Sequence, residues 1–409
     1  MSEEFRRKLK QYADGTLPES EREEVEREMD KMEAYQTYLE DAMGGDRKQA
    51  AALPESQRAG YPAEPETPID EKRILRKGKW RARIVTTWNV LALLIIVMIV
   101  GSVLTSLYYD SGNPERRTMY RDIVVSTVAV SRPNVSLNVN SQSNMLTLNL
   151  SGKMNKQVGD KDYAVGDFSM KFLLGGASVP QETRLEEGNT GFYTFRHPGY
   201  NLSADAHEGV ERRKEEQDQT GWKTLEKLPE GTVAEAYLSF DRLFATDELL
   251  ARFEPANLLP VWFAVNTGPE SYRSYGGAVA FPVGFPYRPM WHPDDLKIEH
   301  YEEKRSGLFG KIVSSGGSYP SVAAYGSGAL RNENFLKTLR LLQEYRSIAR
   351  KTAPFTDIDA AVGYVEENGV QLYGAVVTGP VKELLKLREE SWIRDFHVGE
   401  VRLWNWRDR

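Results

Sequence analysis

The chain of 409 residues contains no cysteine. Without cysteine there is no disulfide framework, no thiol nucleophile, no iron–sulfur cluster and no cysteine-ligated zinc site. Histidine is scarce as well, and no two of the five histidines have the His-Glu-x-x-His spacing of a zinc hydrolase. The sequence also lacks a Walker loop and a Gly-x-Ser-x-Gly nucleophile elbow. We therefore predict a chain without catalytic residues, without a metal site and without a cofactor.

Charge is absent from one stretch, residues 84–108, which reads IVTTWNVLALLIIVMIVGSVLTSLY. As a helix this stretch is long enough to cross about 30 Å of hydrocarbon with some tilt. Trp88 lies near one end and Tyr108 and Tyr109 lie at the other, as aromatic residues do at the two membrane interfaces. The mean hydropathy of −0.52 excludes a protein with many spans, so we predict a single transmembrane helix.

The orientation of this span follows from a basic collar just before it. Residues 72–83 hold seven Lys or Arg side chains and no acidic one. Basic residues flank membrane spans on the cytoplasmic side, so the N-terminus is predicted to be cytoplasmic and residues 109–409 extracytoplasmic. The collar also suits the anionic lipid head groups of the membrane. A large outer region without cysteine fits the cell membrane of a bacterium better than an animal secreted protein.

The acidic segment before the collar, residues 1–43, has the pattern of two amphipathic helices. The first ends at Asp14-Gly15, and the second begins at Ser20, where Ser20 and Glu23 form a capping-box pattern. One apolar stripe follows the helical spacing of these segments. Its members, our candidate partner-binding residues, are Phe5, Leu9, Tyr12, Val25, Met29, Met32 and Leu39.

Two helices of this size cannot bury a core of their own. We therefore interpret residues 1–43 as a helical hairpin head that lays its apolar stripe on another protein. The alternative is a hairpin that folds on itself or dimerises. After the head, residues 44–83 form a Pro- and Gly-containing linker followed by the collar, and this composition is typical of a flexible tether.

The head resembles the opening of anti-sigma domains. Residues 12–23, YADGTLPESERE, match their Tyr-x-Asp-Gly-x-Leu pattern and the acidic helix that follows. Relatives of this kind continue with a His-x3-Cys-x2-Cys zinc motif, where this chain has Glu28, Met32 and Tyr35. Met and Tyr are poor zinc ligands, so the resemblance is to a zinc-free branch. Together with the span and the C-terminal stretches 369–387 and 393–406, the chain resembles the membrane sigma-factor regulators of Gram-positive bacteria.

The outer region reads as an α+β domain with a β-rich part, residues 109–229, and an α+β part, residues 230–409. Patterns of β-branched and apolar residues predict strands over 123–130 and 258–265, among others. The clearest helix is predicted over 332–351. A glycine-rich stretch, residues 306–330, is interpreted as a mobile loop.

The resemblance implies a single-pass membrane anti-sigma factor. Its cytoplasmic head would sequester an extracytoplasmic-function sigma factor, and its outer domain would sense the state of the envelope. The expected partners are that sigma factor, the membrane and another small membrane regulator, with no direct nucleic-acid binding. The alternative is a membrane-anchored cell-envelope enzyme or scaffold with an incidental cytoplasmic tail.

Overall fold

A computed structural model of the chain describes residues 7–8, 11–12, 18, 21–23, 25–35, 37–38, 71–185, 195–200, 221–256, 258–273, 277–306 and 310–404. The chain divides into two compact units, residues 1–88 and 89–409. The helices are α1 Glu71–Tyr109, α2 Arg116–Ser131, α3 Thr246–Phe253, α4 Glu270–Arg273, α5 Gly328–Glu344, α6 Arg346–Thr352, α7 Ile358–Asn368 and α8 Val381–Lys386. The strands are β1 Ser136–Asn144, β2 Thr147–Val158, β3 Lys161–Leu173, β4 Gly176–Ala177, β5 Gln181–Arg184, β6 Phe195–Arg196, β7 Thr232–Phe244, β8 Leu259–Val265, β9 Ala278–Val279, β10 Gly284–Pro286, β11 Lys297–Ser306, β12 Gly310–Ser318, β13 Leu372–Pro380 and β14 Ile393–Leu403.

The long helix α1 contains the predicted span. Its segment Gly78–Tyr109 is long and apolar enough to cross a membrane, and only 6% of its most apolar stretch is buried within the protein. A helix that is apolar on all sides but not covered by protein requires an apolar solvent. The helix therefore has the properties of a membrane anchor rather than of a core helix.

We call residues 89–409 the outer unit, after its predicted location. Its first sheet is an antiparallel meander in the order β1-β2-β3-β4, with β5 also paired to β3. Alternate residues of its strands are buried, including Val139, Leu150 and Phe172, because successive side chains of a strand point to opposite faces. The second sheet has the order β10-β8-β13-β7-β14 and is antiparallel throughout. Its central strands β7 and β13 are buried along most of their length.

The helix α2 corrects one prediction. Residues 123–130 were expected to be a strand because six of the eight are β-branched, but they lie inside α2. The side chains of Ile123, Val124, Val128 and Val130 are fully buried in the core that both sheets share. The free energy of burying so many apolar side chains outweighs the small helix-propensity penalty of β-branched residues.

Two other predictions are confirmed. Residues 258–265 include the buried strand β8, and the helix predicted over 332–351 is present as α5 and α6, with a break at Tyr345. The interpretation of residues 306–330 as a mobile loop is wrong for residues 310–318. These residues form β12, which pairs with β11 in an exposed two-stranded ribbon.

Candidate functional site: the head and the end of the membrane helix

The described residues of the head are helical apart from Pro18, and side chains join its two segments. The Tyr12 hydroxyl donates a hydrogen bond of 2.9 Å to Glu26 Oε1. Lys8 Nζ lies 3.7 Å from a carboxylate oxygen of Glu21, and the Arg22 guanidinium lies 5.6 Å from the centre of the Tyr12 ring. Apart from Pro18, the residues that connect the segments lie outside the described ranges, so the complete hairpin stays a prediction.

The predicted stripe has two kinds of member. Val25 is buried, at 1% exposure, whereas Met29 and Met32 are each 40% exposed. Tyr12 is half-buried, and Phe5, Leu9 and Leu39 lie outside the described residues. The two methionines are therefore the described stripe residues with apolar area left to contribute to a partner.

The zinc positions of related anti-sigma domains carry no zinc site in the described head. Glu28 forms an ion pair with Lys31 at 3.1 Å, and Tyr35 is exposed. Within the residues that the structure describes, no group of three or more His, Asp or Glu side chains is arranged to hold a metal ion.

A second site lies where the end of α1 meets the first sheet. Tyr109, the last residue of α1, is fully buried, and its hydroxyl lies 3.1 to 3.3 Å from the carbonyl oxygens of Leu146, Phe172 and Leu174. One turn earlier, Thr105 Oγ1 accepts a hydrogen bond of 2.7 Å from the Leu146 N–H. The turns after β1 and β3 are thus bound directly to the end of the membrane helix.

Aromatic and basic side chains surround this attachment. The hydroxyls of Tyr108 and Tyr120 lie 3.3 Å apart, and Tyr120 stacks on Phe172 with ring centres 4.9 Å apart. Burial raises the pKa of Tyr120 above its ordinary value, and the hydrogen bond to Tyr108 raises this pKa further. Arg116 donates to the Tyr108 carbonyl at 2.9 Å, while Arg117 pairs with Asp110. The two phenols, the hydrogen bond of Arg116 and the ion pair of Arg117 hold α2 against the end of α1.

A buried charged network connects the two sheets. Glu235 on β7 is fully buried, and its carboxylate lies 3.0 Å from Lys156 Nζ on β2. It also accepts hydrogen bonds from the Asn134 side chain at 2.8 Å, the Tyr237 hydroxyl at 3.2 Å and the Glu400 N–H at 3.1 Å. A buried charge is tolerated only when it is paired and hydrogen-bonded in this way. The network therefore fixes the spacing of the two sheets.

One arrangement resembles the order of a catalytic triad but is structural. His292 Nδ1 lies 2.8 Å from Asp122 Oδ2, and His292 Nε2 lies 2.8 Å from Thr338 Oγ1. Thr338 is fully buried on α5 and donates its own hydrogen bond to the Asn334 carbonyl. A hydroxyl in that position cannot reach a substrate, so the three side chains tie α2 to α5.

Sequence reasoning did not find the attachment of α1 or the Glu235 network. For the attachment a signal existed, because Thr105 is a polar residue inside the apolar run and Tyr109 directly follows it. The acceptors of Tyr109 are between 37 and 65 positions further along the chain. No local pattern reveals such partners.

Comparison with known proteins identifies the family. A model described as Sigma factor regulator N-terminal matches residues 72–163, and one described as Sigma factor regulator C-terminal matches residues 225–400. The chain is 27% identical over 416 aligned positions to the probable anti-sigma-M factor YhdL of Bacillus subtilis (strain 168), covering 99% of this chain and 100% of that protein. No solved structure matches the chain. With a membrane-type helix before a folded outer unit, the chain belongs to the sigma factor regulator family and is a membrane anti-sigma factor of the YhdL type.

Proposed function

We propose that this chain holds an extracytoplasmic-function sigma factor at the cytoplasmic face of the membrane, and that residues 1–43 form the helical hairpin that binds it. The observation that carries this proposal is the exposure of Met29 and Met32 on an acidic helix. Flexible, polarisable methionines are common on helical binding surfaces. A sigma factor bound to the anchored head is unable to join RNA polymerase.

The residues of the stripe have two roles, packing within the head and contact with the partner. Val25 supports the helix from its buried side, while Met29 and Met32 insert into an apolar groove of the partner. Tyr12 contributes by holding Glu26 in place, and Phe5, Leu9 and Leu39 extend the stripe. Glutamates on the remaining faces steer a basic partner toward the head.

The experiment that tests the head is a co-expression pull-down with single extracytoplasmic-function sigma factors of the host. The variant Met29→Asp with Met32→Asp places two charges in the proposed contact and should abolish capture. The matched control, Ala34→Asp with Tyr38→Asp, adds the same charges to exposed positions on the opposite face of the helix. Equal capture by both double variants would remove the stripe from the proposal.

The proposed topology has the head inside the cell and residues 109–409 outside. It rests on the basic collar before the span. Because the chain has no cysteine, one introduced cysteine is the sole target of a maleimide that does not cross membranes. Asp160→Cys should be labelled in intact cells, and Ala34→Cys only after permeabilisation. Labelling of Ala34→Cys in intact cells would reverse the topology.

The outer domain is proposed to sense envelope state and to pass the change to the head through α1. Support comes from the attachment of Thr105 and Tyr109 to the turns of the first sheet, because a displacement of those turns moves the end of the helix. A second partner, another small membrane regulator, belongs to this proposal as a modulator of the outer domain.

A further inference from the structure

Two turns of the first sheet present apolar side chains beside α1. The turn between β1 and β2 consists of Met145 and Leu146, and the turn after β3 contains Leu174. Met145 is 48% exposed and Leu173 is 62% exposed. The Leu174 N–H donates to the Leu146 carbonyl at 3.1 Å, so the two turns form one continuous tip of the sheet.

The backbone of this tip is unusual for a turn in water. Met145 and Leu146 have φ values of 41° and 66°, and Leu174 has a φ of 51°. Two-residue hairpin turns of this shape ordinarily use Asn-Gly or similar pairs, because glycine and asparagine tolerate positive φ. Large apolar residues in these positions accept backbone strain, and an outlier of this kind indicates a function for the side chains.

The end of α1 sets the depth of the tip. A Cβ built on Gly101 would lie 3.9 Å from Met145 Cε, so the methionine rests on the helix where it has no side chain. Gly101 precedes Tyr109 by eight residues, which is about 12 Å along the helix axis. The first charged residue after the span is Asp110. Met145 is therefore at a depth where α1 itself is surrounded by hydrocarbon.

Charged and polar residues lie next to the apolar tip. Lys171 is exposed and lies two residues before Leu173 on the same face of β3. Arg117 pairs with Asp110 and donates to Ser143 Oγ at 3.1 Å. Apolar side chains at a tip with basic residues beside them are expected where a protein surface passes from the hydrocarbon into the head-group region.

We propose that the sheet tip formed by Met145, Leu146, Leu173 and Leu174 inserts into the leaflet of the bilayer that faces the outer domain. The outer domain then has two attachments to the membrane, the helix α1 and this tip. The occupant of the apolar surface is lipid, because continuity with the span places the tip within the bilayer. Lateral pressure or lipid composition in that leaflet would act on the same turns that bind Thr105 and Tyr109.

This inference rests on the proposed membrane span, and the absence of cysteine makes both separately testable. The full chain is reconstituted in vesicles of phosphatidylglycerol and phosphatidylethanolamine with one nitroxide-labelled cysteine per variant. The positions are Met145→Cys and Leu173→Cys at the tip, Leu94→Cys in the middle of α1, and Asp160→Cys. Asp160 is exposed in the turn at the opposite end of β2, roughly 35 Å along the strand from the tip.

Spin relaxation by oxygen, which concentrates in lipid, is compared with relaxation by a water-soluble nickel complex. The tip labels should show higher accessibility to oxygen than to nickel, as Leu94→Cys does, and Asp160→Cys should show the reverse. Tip labels that behave like Asp160→Cys would overturn the insertion while leaving the span intact. Tip labels shielded from both reagents would also overturn it, because protein and not lipid would then cover the tip. A nickel-accessible label at Leu94 would instead contradict the span itself.

Discussion

In the described head, Met29 and Met32 keep 40% of their surface exposed, whereas the outer unit buries Phe172, Phe263 and Phe335 almost completely in one core. The outer unit has enough chain to close two sheets and several helices around apolar side chains. In the described residues of the head, short helical segments are joined by surface hydrogen bonds and ion pairs, which individually contribute little to stability. We therefore expect the outer unit to be stable alone, and the proposed function has the head completed by a partner.

The largest expected effect is on the core of the outer unit. Glu235→Ala leaves Lys156 buried without its counter-charge, and the free energy of unfolding should fall by about 3 to 5 kcal/mol. Chemical unfolding of the full chain in detergent, followed by tryptophan fluorescence, measures this loss. The double variant Glu235→Met with Lys156→Met removes both charges and should recover most of it. Capture of the sigma factor by the head should be unchanged in the double variant, and a parallel loss would show that the head depends on this core.

The second expected effect is a loss of stability of the outer unit at acidic pH. Burial lowers the pKa of His197 from 6.5 to about 4 in the folded protein. Between those values the unfolded chain binds a proton that the folded protein does not, so stability falls as pH falls through this window. The full loss is about 3 kcal/mol between pH 7 and pH 4. His397, whose pKa burial also lowers, adds in the same direction.

Unfolding measured at pH 7, 5.5 and 4.5 tests this prediction. His197→Gln should reduce the difference between pH 7 and pH 4.5, and His197→Gln with His397→Gln should reduce it further. An unchanged pH dependence in the double variant would assign acid sensitivity to other groups of the outer unit.

A smaller effect is expected in the head, where the partner supplies the packing. Met29→Ala and Met32→Ala should each weaken sigma factor binding by about 1 to 2 kcal/mol, a factor of about 5 to 30 in affinity. Val25→Ala should instead reduce helix content, because Val25 is already buried in the free chain. Titration calorimetry and circular dichroism separate the two outcomes, and equal helix loss in all three variants would contradict the distinction.

The smallest expected change in stability comes from Tyr109→Phe, which keeps the ring and removes the hydroxyl that faces three carbonyls. A hydrogen bond of this kind contributes about 1 kcal/mol. Hydrogen exchange should become faster at the Leu146 and Leu174 amides, and a sigma-dependent reporter should respond less to envelope stress. Tyr120→Phe is the matched control, because it removes a neighbouring phenol hydroxyl that does not bind the turns. An equal loss of response in both variants would exclude a specific role for the Tyr109 attachment.

The sequence predicted some elements well for a physical reason. The span in α1, the buried strand β8 and the helix in α5 and α6 each have a local pattern strong enough to identify them. The strand predicted over residues 123–130 was wrong because β-branched residues favour strands only weakly, and burial in the core around α2 stabilises a helix there. The loop predicted over residues 310–318 was wrong because these residues become a strand by pairing with β11, and their own sequence carries no signal of that pairing.

By itself the sequence determined that this chain has one membrane span, a basic collar and an acidic head, because hydropathy and charge are properties of a segment that need no partner. The likeness of the head and of the C-terminal stretches to a known family belongs to the same class of local information. Only the tertiary structure decided that Tyr109 faces Leu146 and Leu174, that Glu235 joins Lys156, and that an apolar sheet tip lies beside Gly101. Those contacts join residues that are far apart along the chain, so they exist only once the folded core has brought these residues together.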